Sequence, residues 1–334
     1  MKKKILLIDN GFKKDKPFII NSFEKNESIH LRILYNFLKK EKFSIDERLF
    51  NRFRIPLDTS NFNKRILLNV KDFKPDFIVI IKGNNVYRKT LNKIKLNNSN
   101  IKIFSWTADN MIKKHNTSRY FDKSINKYDI HFTTKSNIID KLYLKGAKKV
   151  VFLNKAYSKF DHYPEKYDKN YDFNVLFIGS SEIDRFNSMK YLAERGIKVN
   201  IFGNMWEKYK SHDNLIIHKK PLLGKEYRLA ISSSKINLCF LRHINDDLQT
   251  DRTMEIPAIK GFMMAERTKE HKKLFLEDYE AVYFSSDEEL FRKVEYFLKS
   301  KKEREKIRTN GYKRAINSGY SFDDMTKIIC TYFK

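Results

Sequence analysis

Proline and glycine are scarce in this 334-residue chain, at 6 and 10 residues, and it holds only 2 cysteines. Cys239 and Cys330 sit in apolar contexts with no C-x-x-C spacing, which argues against a disulfide or a zinc site and for a reducing, cytoplasmic setting. No apolar run approaches the length of a membrane-spanning helix. The opening M-K-K-K-I-L-L-I-D-N is cut short by Asp9 and Asn10, so it reads as a first strand rather than a signal peptide. The expected location is the cytoplasm, either free or peripheral at the inner face of the membrane. Low-complexity tracts and repeats of solenoid period are missing too, and so is a D-x-D metal motif at a strand end. No divalent metal is therefore expected.

The composition supports packed cores. Hydrophobic residues make up 41% and aromatics 14%, enough to fold despite 33% charged residues, and the length suits two domains. Lys and Arg number 68 against 41 Asp and Glu, a formal net charge of +27. Such an excess invites nucleic acid or an anionic surface. The lysines are dispersed, however, and the abundance of Lys, Asn, Ile, Phe and Tyr matches A/T-rich coding. No arginine-rich arm and no basic, aromatic strand face is present, which disfavours nucleic acid and leaves weak attraction to anionic lipid or glycan.

Periodicity divides the chain into two similar series. Residues 4–9, 44–49, 76–81, 101–106, 129–133 and 148–153 read as strands. Between them 29–43 (with Leu31, Ile33, Leu34, Phe37 and Leu38 at helical spacing), 61–73, 86–96 and 138–145 read as helices. Residues 156–171 are polar and aromatic without periodicity, a connector. Strands then resume at 173–177, 199–202, 215–218, 236–240 and 262–265, with helices at 226–232, 288–298, 302–317 and 322–333. Strand–helix alternation predicts an α/β fold with parallel sheets covered on both faces.

Candidate functional residues fall just after predicted strands, where open α/β sheets place ligands. Gly11 is a turn or a weak phosphate-loop signal. Lys82-Gly83-Asn84 and Trp106 to Asn110 follow two strands of the first series. Asp109 either caps the next helix or accepts a hydrogen bond from a sugar. His131 alternates with apolar neighbours as a core histidine, and His115 lies in a loop with nothing decisive around it. In the second series Gly179 permits close backbone approach, and Ser180 and Ser181 add donors at a helix start. Arg185 either reaches phosphate or is an ordinary exposed helix arginine.

The most informative stretch begins at Cys239. A strand leads into a loop with Arg242, Asn245, Asp246 and Asp247, then into a short helix with Arg252 and Glu255. Arg252 offers a fork of donors suited to a diphosphate, and Glu255, one turn on, can accept two ribose hydroxyls. Together these features point to a nucleotide. The plainer readings are a solvated loop for Asp246 and Asp247, and a surface ion pair for Arg252 and Glu255.

These residues, with Thr250, Glu255-Ile256-Pro257-Ala258, Ala265-Glu266-Arg267-Thr268, Ser286 to Leu290, Arg304, Ile307, Gly311-Tyr312 and Ser318 to Ser321, resemble the C-terminal half of CgeB-like glycosyltransferases. Trp106 to Asn110 and the segment 156–164 match more loosely. One departure is the bulky Ile259-Lys260 before Gly261, where the family has a small pair. The resemblance implies the GT-B fold, two facing Rossmann-like domains: 1–155 on the acceptor side, 156–171 a linker, 172–318 for the donor, and 319–334 a helix crossing back to the first domain. It implies transfer of a sugar from a nucleoside-diphosphate-sugar to a hydroxyl of a glycan, lipid-linked or protein acceptor, in bacterial surface polysaccharide or glycoconjugate synthesis, with retention of configuration and no cofactor beyond the donor. Asp247 and Glu255 stand in the E-x7-E relation of retaining GT-B enzymes, with Asp in first place. The donor nucleotide then falls to Gly179, Ser180, Arg185, Arg242, Arg252 and Glu255, and catalysis to Arg252, Asp247 and Asp109. The alternatives from other classes are a non-catalytic nucleotide-sugar or anionic-glycan binder and a nucleic-acid-associated protein.

Overall fold

The computed structural model describes residues 2–10, 17–36 and 44–334. The chain forms two units, Met1–Asn154 with Thr326–Lys334, and Lys155–Met325. In chain order the strands are β1 Lys3–Asp9, β2 Ile29–Tyr35, β3 Phe77–Ile81, β4 Lys102–Thr107, β5 Ile130–Thr133, β6 Val150–Phe152, β7 Val175–Ile178, β8 Val199–Phe202, β9 Leu215–Ile217, β10 Ile236–Cys239, β11 Met263–Glu266 and β12 Val282–Phe284. The helices are α1 Phe18–Glu24, α2 Ile45–Arg52, α3 Phe62–Phe73, α4 Arg88–Asn97, α5 Arg119–Ser124, α6 Ile139–Leu144, α7 Ile183–Ala193, α8 Gly224–Ser233, α9 Asp251–Ala258, α10 Lys269–Leu274, α11 Asp287–Lys299, α12 Lys301–Asn317 and α13 Phe322–Cys330.

The first unit carries a parallel sheet in the order β2-β1-β3-β4-β5-β6. Its central strand β3 is buried along its whole length, so it reads as a continuous apolar run, F-I-V-I-I. One face packs on α3, α4 and α5 through Ile66, Val70, Leu91, Ile94 and Phe121. On the same unit, Phe333 packs 4.8 Å from Phe77 and 5.8 Å from Phe104, ring centroid to centroid. His131 is a core histidine: its Nε2 donates to the Ile125 carbonyl at 2.8 Å, and burial pushes its pKa down to about 4.

Two expectations fail here. Residues 29–35 form β2, not a helix, pairing in parallel with β1 through contacts such as Ile5↔Leu31. Ile29, Leu31, Ile33 and Tyr35 alternate at period two, and the i, i+3/i+4 spacing of Leu31, Leu34 and Ile33 masked that alternation. The rest of that expected helix, 37–43, and Gly11 lie outside the described residues. Residues 45–52 form α2, not a strand. The reason is a capping box: Ser44 accepts from the Glu47 N–H at 3.2 Å, and the Glu47 carboxylate accepts from the Ser44 N–H at 2.8 Å.

The second unit repeats the architecture, in the order β12-β11-β10-β7-β8-β9 with parallel pairing throughout. Alternation along β7 sends Val175 and Phe177 into one apolar cluster and Leu176 and Ile178 into another, so both faces of the sheet are covered. Among the described residues no helix is long and apolar enough to cross a membrane.

Candidate functional site

The candidate residues of the second unit gather where β7 and β10 end and α7 and α9 begin. Gly179 follows β7; its N–H donates to the Phe202 carbonyl and its carbonyl accepts from Trp206 Nε1 at 2.8 Å. Gly203, after β8, has φ +144°, and a Cβ there would stand 2.0 Å from the Gly179 oxygen. The two strand ends thus meet backbone to backbone, which requires a glycine at 203. Ser181 Oγ donates to the Met205 carbonyl at 2.5 Å, fixing the same loop.

Arg185 proves to be a buried anchor rather than an exposed helix arginine. At 5% exposure it donates to the carbonyls of Leu241 (2.6 and 2.9 Å) and Ser180 (2.9 Å), tying the start of α7 to the end of β10. Arg242 is half exposed and donates to Glu182 at 3.1 Å. In the same loop Asp246 adopts φ +50°, and buried Asp247 accepts from Asn245 Nδ2 at 2.8 Å. A solvated loop does not describe Asp247, which is 7% exposed.

The start of α9 is held from several sides. The Thr250 N–H donates to Thr253 Oγ1 at 3.0 Å, and Thr253 in turn bonds to His271 Nε2 at 2.9 Å. His271 Nδ1 donates to the Glu266 carbonyl at 2.6 Å, so Nε2 is the acceptor; burial pushes this imidazole's pKa down to about 4. The backbone N–H of Lys155 donates to Gln249, and its ammonium lies 3.1 Å from Asp251. Past the helix, Lys260 turns into a left-handed conformation at φ +60°, and Gly261 packs so tightly that a Cβ would sit 2.6 Å from Ile231 Cγ2. The bulky Ile259 is fully buried there, in the core.

Arg252 and Glu255 form the centre of this cluster. Arg252 Nε donates to the Ile178 carbonyl at the end of β7 (3.2 Å), and Nη1 donates to Glu255 Oε2 at 2.7 Å. The guanidinium lies 5.2 Å from the Tyr227 ring centroid. Burial opposes its charge, but Glu255, Tyr227 and Asp251 outweigh burial and hold its pKa above the ordinary arginine value. Tyr227 donates to the same Glu255 oxygen at 2.5 Å, and burial raises its pKa well above 10, so it remains a donor. His162 Nδ1 accepts from the Ser158 N–H (3.0 Å), leaving the proton on Nε2, which faces Glu255 Oε1 at 3.6 Å. Its pKa is lowered by burial against the opposing pull of Glu255. Among the described residues nothing donates to Oε1 within hydrogen-bond distance. The carboxylate is thus held by one oxygen and offers the other.

Tyr227, His162 and Lys155 carried no assigned role in the sequence. Tyr227 was legible only as part of a helix, and the other two lie beside or in an aperiodic connector that gives no signal. Arg267, quoted only as part of a motif, forks onto Glu277 and Glu289 at 2.6 Å each and is structural.

Asp109 belongs to the first unit, where its carboxylate pairs with Lys82 at 2.7 Å beyond the ends of β3 and β4. It does not cap a helix. The next helix, α5, begins ten residues later and is capped by Ser118, whose Oγ accepts from the Phe121 N–H.

Residues 186–330 match the family described as glycosyl transferase-like. No curated protein matches the chain by sequence. Similar solved structures include a glycosyltransferase from Rickettsia africae ESF-5 (11% identity, 100% of this chain and 98% of that chain, TM-score 0.67). Sucrose-phosphate synthase from Thermosynechococcus elongatus is similar over 99% of both chains (10% identity, TM-score 0.68). HepE from Anabaena, solved in complex with UDP and glucose, is similar over 98% of both chains (8% identity, TM-score 0.65). The fold is GT-B, an α/β architecture of two Rossmann-like domains.

Proposed function

We propose that this protein is a glycosyltransferase that moves a sugar from a nucleoside-diphosphate-sugar to a hydroxyl of a glycan, lipid-linked or protein acceptor. The observation that carries the reading is the Arg252–Glu255 pair at the start of α9, anchored to the end of β7 and lying inside the segment that matches the family. Arg252 holds the diphosphate, and Glu255 reads the ribose through Oε1. The HepE complex with UDP and glucose supports this class of donor. Residues 172–318 form the donor side and 1–155 the acceptor side, and the CgeB-like resemblance points to surface polysaccharide or glycoconjugate synthesis in bacteria.

In the reaction the bond from the anomeric carbon to the β-phosphate oxygen breaks and a bond to the acceptor oxygen forms. The hydroxyl proton passes to the departing phosphate, with retention at the anomeric carbon. Negative charge grows on the leaving diphosphate, and a cation already fixed beside it lowers that barrier. Arg252 is placed for this, with Gly179 and Ser180 lining the approach to the phosphates. Arg185 supports that loop through its bonds to carbonyls, and Asp247 and Asp109 are the remaining carboxylates assigned to sugar contacts.

The test is a thermal-shift screen against uridine, guanosine, cytidine and thymidine diphosphates and their sugars, followed by assay of free nucleoside diphosphate with the stabilising donors. Stabilisation together with release of the diphosphate is expected. Stabilisation without release would assign a non-catalytic binder, and no stabilisation by any member would remove the donor reading.

A further inference from the structure

The first unit contains a polar groove of about 530 Å³, inside the roughly 300–1,000 Å³ range of small-molecule sites. It lies beyond the C-terminal ends of β3 and β4, between their crossover loops and the end of α2, where open parallel sheets bind ligands. Arg52, Arg54, Lys114 and His115 line it, and among the described residues no carboxylate does. Arg54 is spoken for: it pairs with Asp122 and donates from Nε to the Thr117 carbonyl at 3.2 Å. Arg52, Lys114 and His115 are exposed and make no ion pair or hydrogen bond with a described side chain. In a chain with 41 acidic residues, two cations, Arg52 and Lys114, and an imidazole lining one groove without a counter-charge mark an unmet demand for an anion.

The groove is also built rather than incidental. Asn84 Nδ2 donates to the Asn116 carbonyl (2.9 Å), while its Oδ1 and carbonyl accept from the N–H (3.2 Å) and Oγ (2.6 Å) of Ser118, clamping the two loops together. Asn85, beside it, is 2% exposed, and its Oδ1 has no hydrogen-bond partner. The Asn85 carbonyl accepts from Asn63 Nδ2 at 2.8 Å, which fixes this wall of the groove. Among the described residues no Phe, Tyr or Trp lines the groove for base stacking, and Pro56 is the only apolar one, which fits neither single-stranded nucleic acid nor an inserting lipid surface.

We propose that this groove binds the phosphate group of a phosphorylated carbohydrate, with Arg52, Lys114 and His115 on the phosphate and the partly exposed Asn51 on the sugar side. Phosphate, with three acceptor oxygens and up to two charges, matches two separate cations and an imidazole better than a carboxylate, which one guanidinium fork satisfies. The binding itself does not depend on the transfer reading. Its use as the acceptor site does, and would make that acceptor a phosphorylated glycan.

The experiment is calorimetric titration of the full chain with glucose 6-phosphate, glycerol 3-phosphate, glucuronate and glucose, with a parallel titration of UDP. The expected order is either phosphate ester above glucuronate, and glucuronate above glucose. Arg52→Ala/Lys114→Ala should weaken the phosphate esters by about tenfold or more, as expected for two lost charge-assisted contacts, with melting temperature and UDP affinity unchanged. A control, Lys301→Ala/Lys302→Ala, removes the same charge from α12 and should leave the affinity unchanged. Equal losses in both variants would reduce the effect to overall charge and overturn the site. So would equal affinity for glucose, absence of binding by both esters, or binding confined to phosphatidylglycerol vesicles. Loss of UDP binding alone would count against the donor site and leave this one standing.

Discussion

Arg252 Nη1 lies 2.7 Å from Glu255 Oε2, so the residue assigned to the diphosphate and the residue assigned to the ribose are bonded to each other across one turn of α9. An exposed i, i+3 pair of this kind contributes only a few tenths of a kcal/mol. Here the Glu255 side chain is 7% exposed, and Tyr227 donates to the same oxygen. The pair therefore fixes the carboxylate while keeping Oε1 open. Arg252→Lys keeps the charge but loses the fork, and turnover should fall roughly 10²-fold, the scale of losing one transition-state donor. Steady-state kinetics would show it, and full activity in both Arg252→Lys and Arg252→Ala would remove Arg252 from the diphosphate.

Arg185 should matter for stability instead. Its guanidinium satisfies carbonyls at the ends of two elements, and Arg185→Ala strands them in a buried place. A loss of about 2–4 kcal/mol in urea unfolding is expected, with donor affinity of the folded protein nearly unchanged. A stable Arg185→Ala protein with a large loss of donor affinity would reverse that assignment.

Gly203 gives a backbone test. Its φ of +144° and the 2.0 Å approach of a Cβ to the Gly179 oxygen make Gly203→Ala a clash with backbone that has nowhere to go. We expect a loss above about 2 kcal/mol, against roughly 1 kcal/mol for Gly196→Ala, where φ is +83° but no atom lies within 4 Å of a Cβ. Similar melting temperatures for the two variants would mean that the close approach relaxes freely.

Much of the architecture was legible because parallel strands buried on both faces are short apolar runs, as in β3 and β7, and the helices between them carry apolar residues at helical spacing. The errors came where two signals competed. Leu31, Ile33 and Leu34 satisfy helical spacing and strand alternation at once, and only pairing with β1 decides. The S-I-D-E capping box at Ser44 was a readable helix start that the apolar pattern of 44–49 obscured. At the site, the sequence placed Arg252 and Glu255 one turn apart but could not show Tyr227 and His162 converging on Glu255 from 28 and 93 residues away in the chain. Nor could it show that Arg185 is consumed by carbonyls, since a fork of donors reads the same whether it meets phosphate or backbone.

Acid should destabilise the protein through its buried imidazoles. His131 and His271 titrate near 4 in the folded chain against an ordinary 6.5, so between those values the unfolded chain binds protons that the folded chain does not. Stability is then complete above about pH 6.5 and falls with acid, by up to about 1.4 kcal/mol per pH unit for each group. His131→Gln keeps a donor for the Ile125 carbonyl and should flatten the slope of unfolding free energy against pH by that amount. An unchanged slope would show that His131 protonates without hindrance.

The most direct measurement of the central claim is calorimetric titration of the protein and of Glu255→Gln with UDP and with 2′,3′-dideoxy-UDP. The account predicts that the unmodified protein prefers UDP by about 1.5–3 kcal/mol per charged hydrogen bond lost, because Glu255 Oε1 is left desolvated and unpaired without the hydroxyls. Glu255→Gln keeps the side-chain shape and should lose most of that preference while remaining folded, which closes a double-mutant-style cycle. Equal affinity of the unmodified protein for the two ligands would contradict the assignment of Glu255 to the ribose.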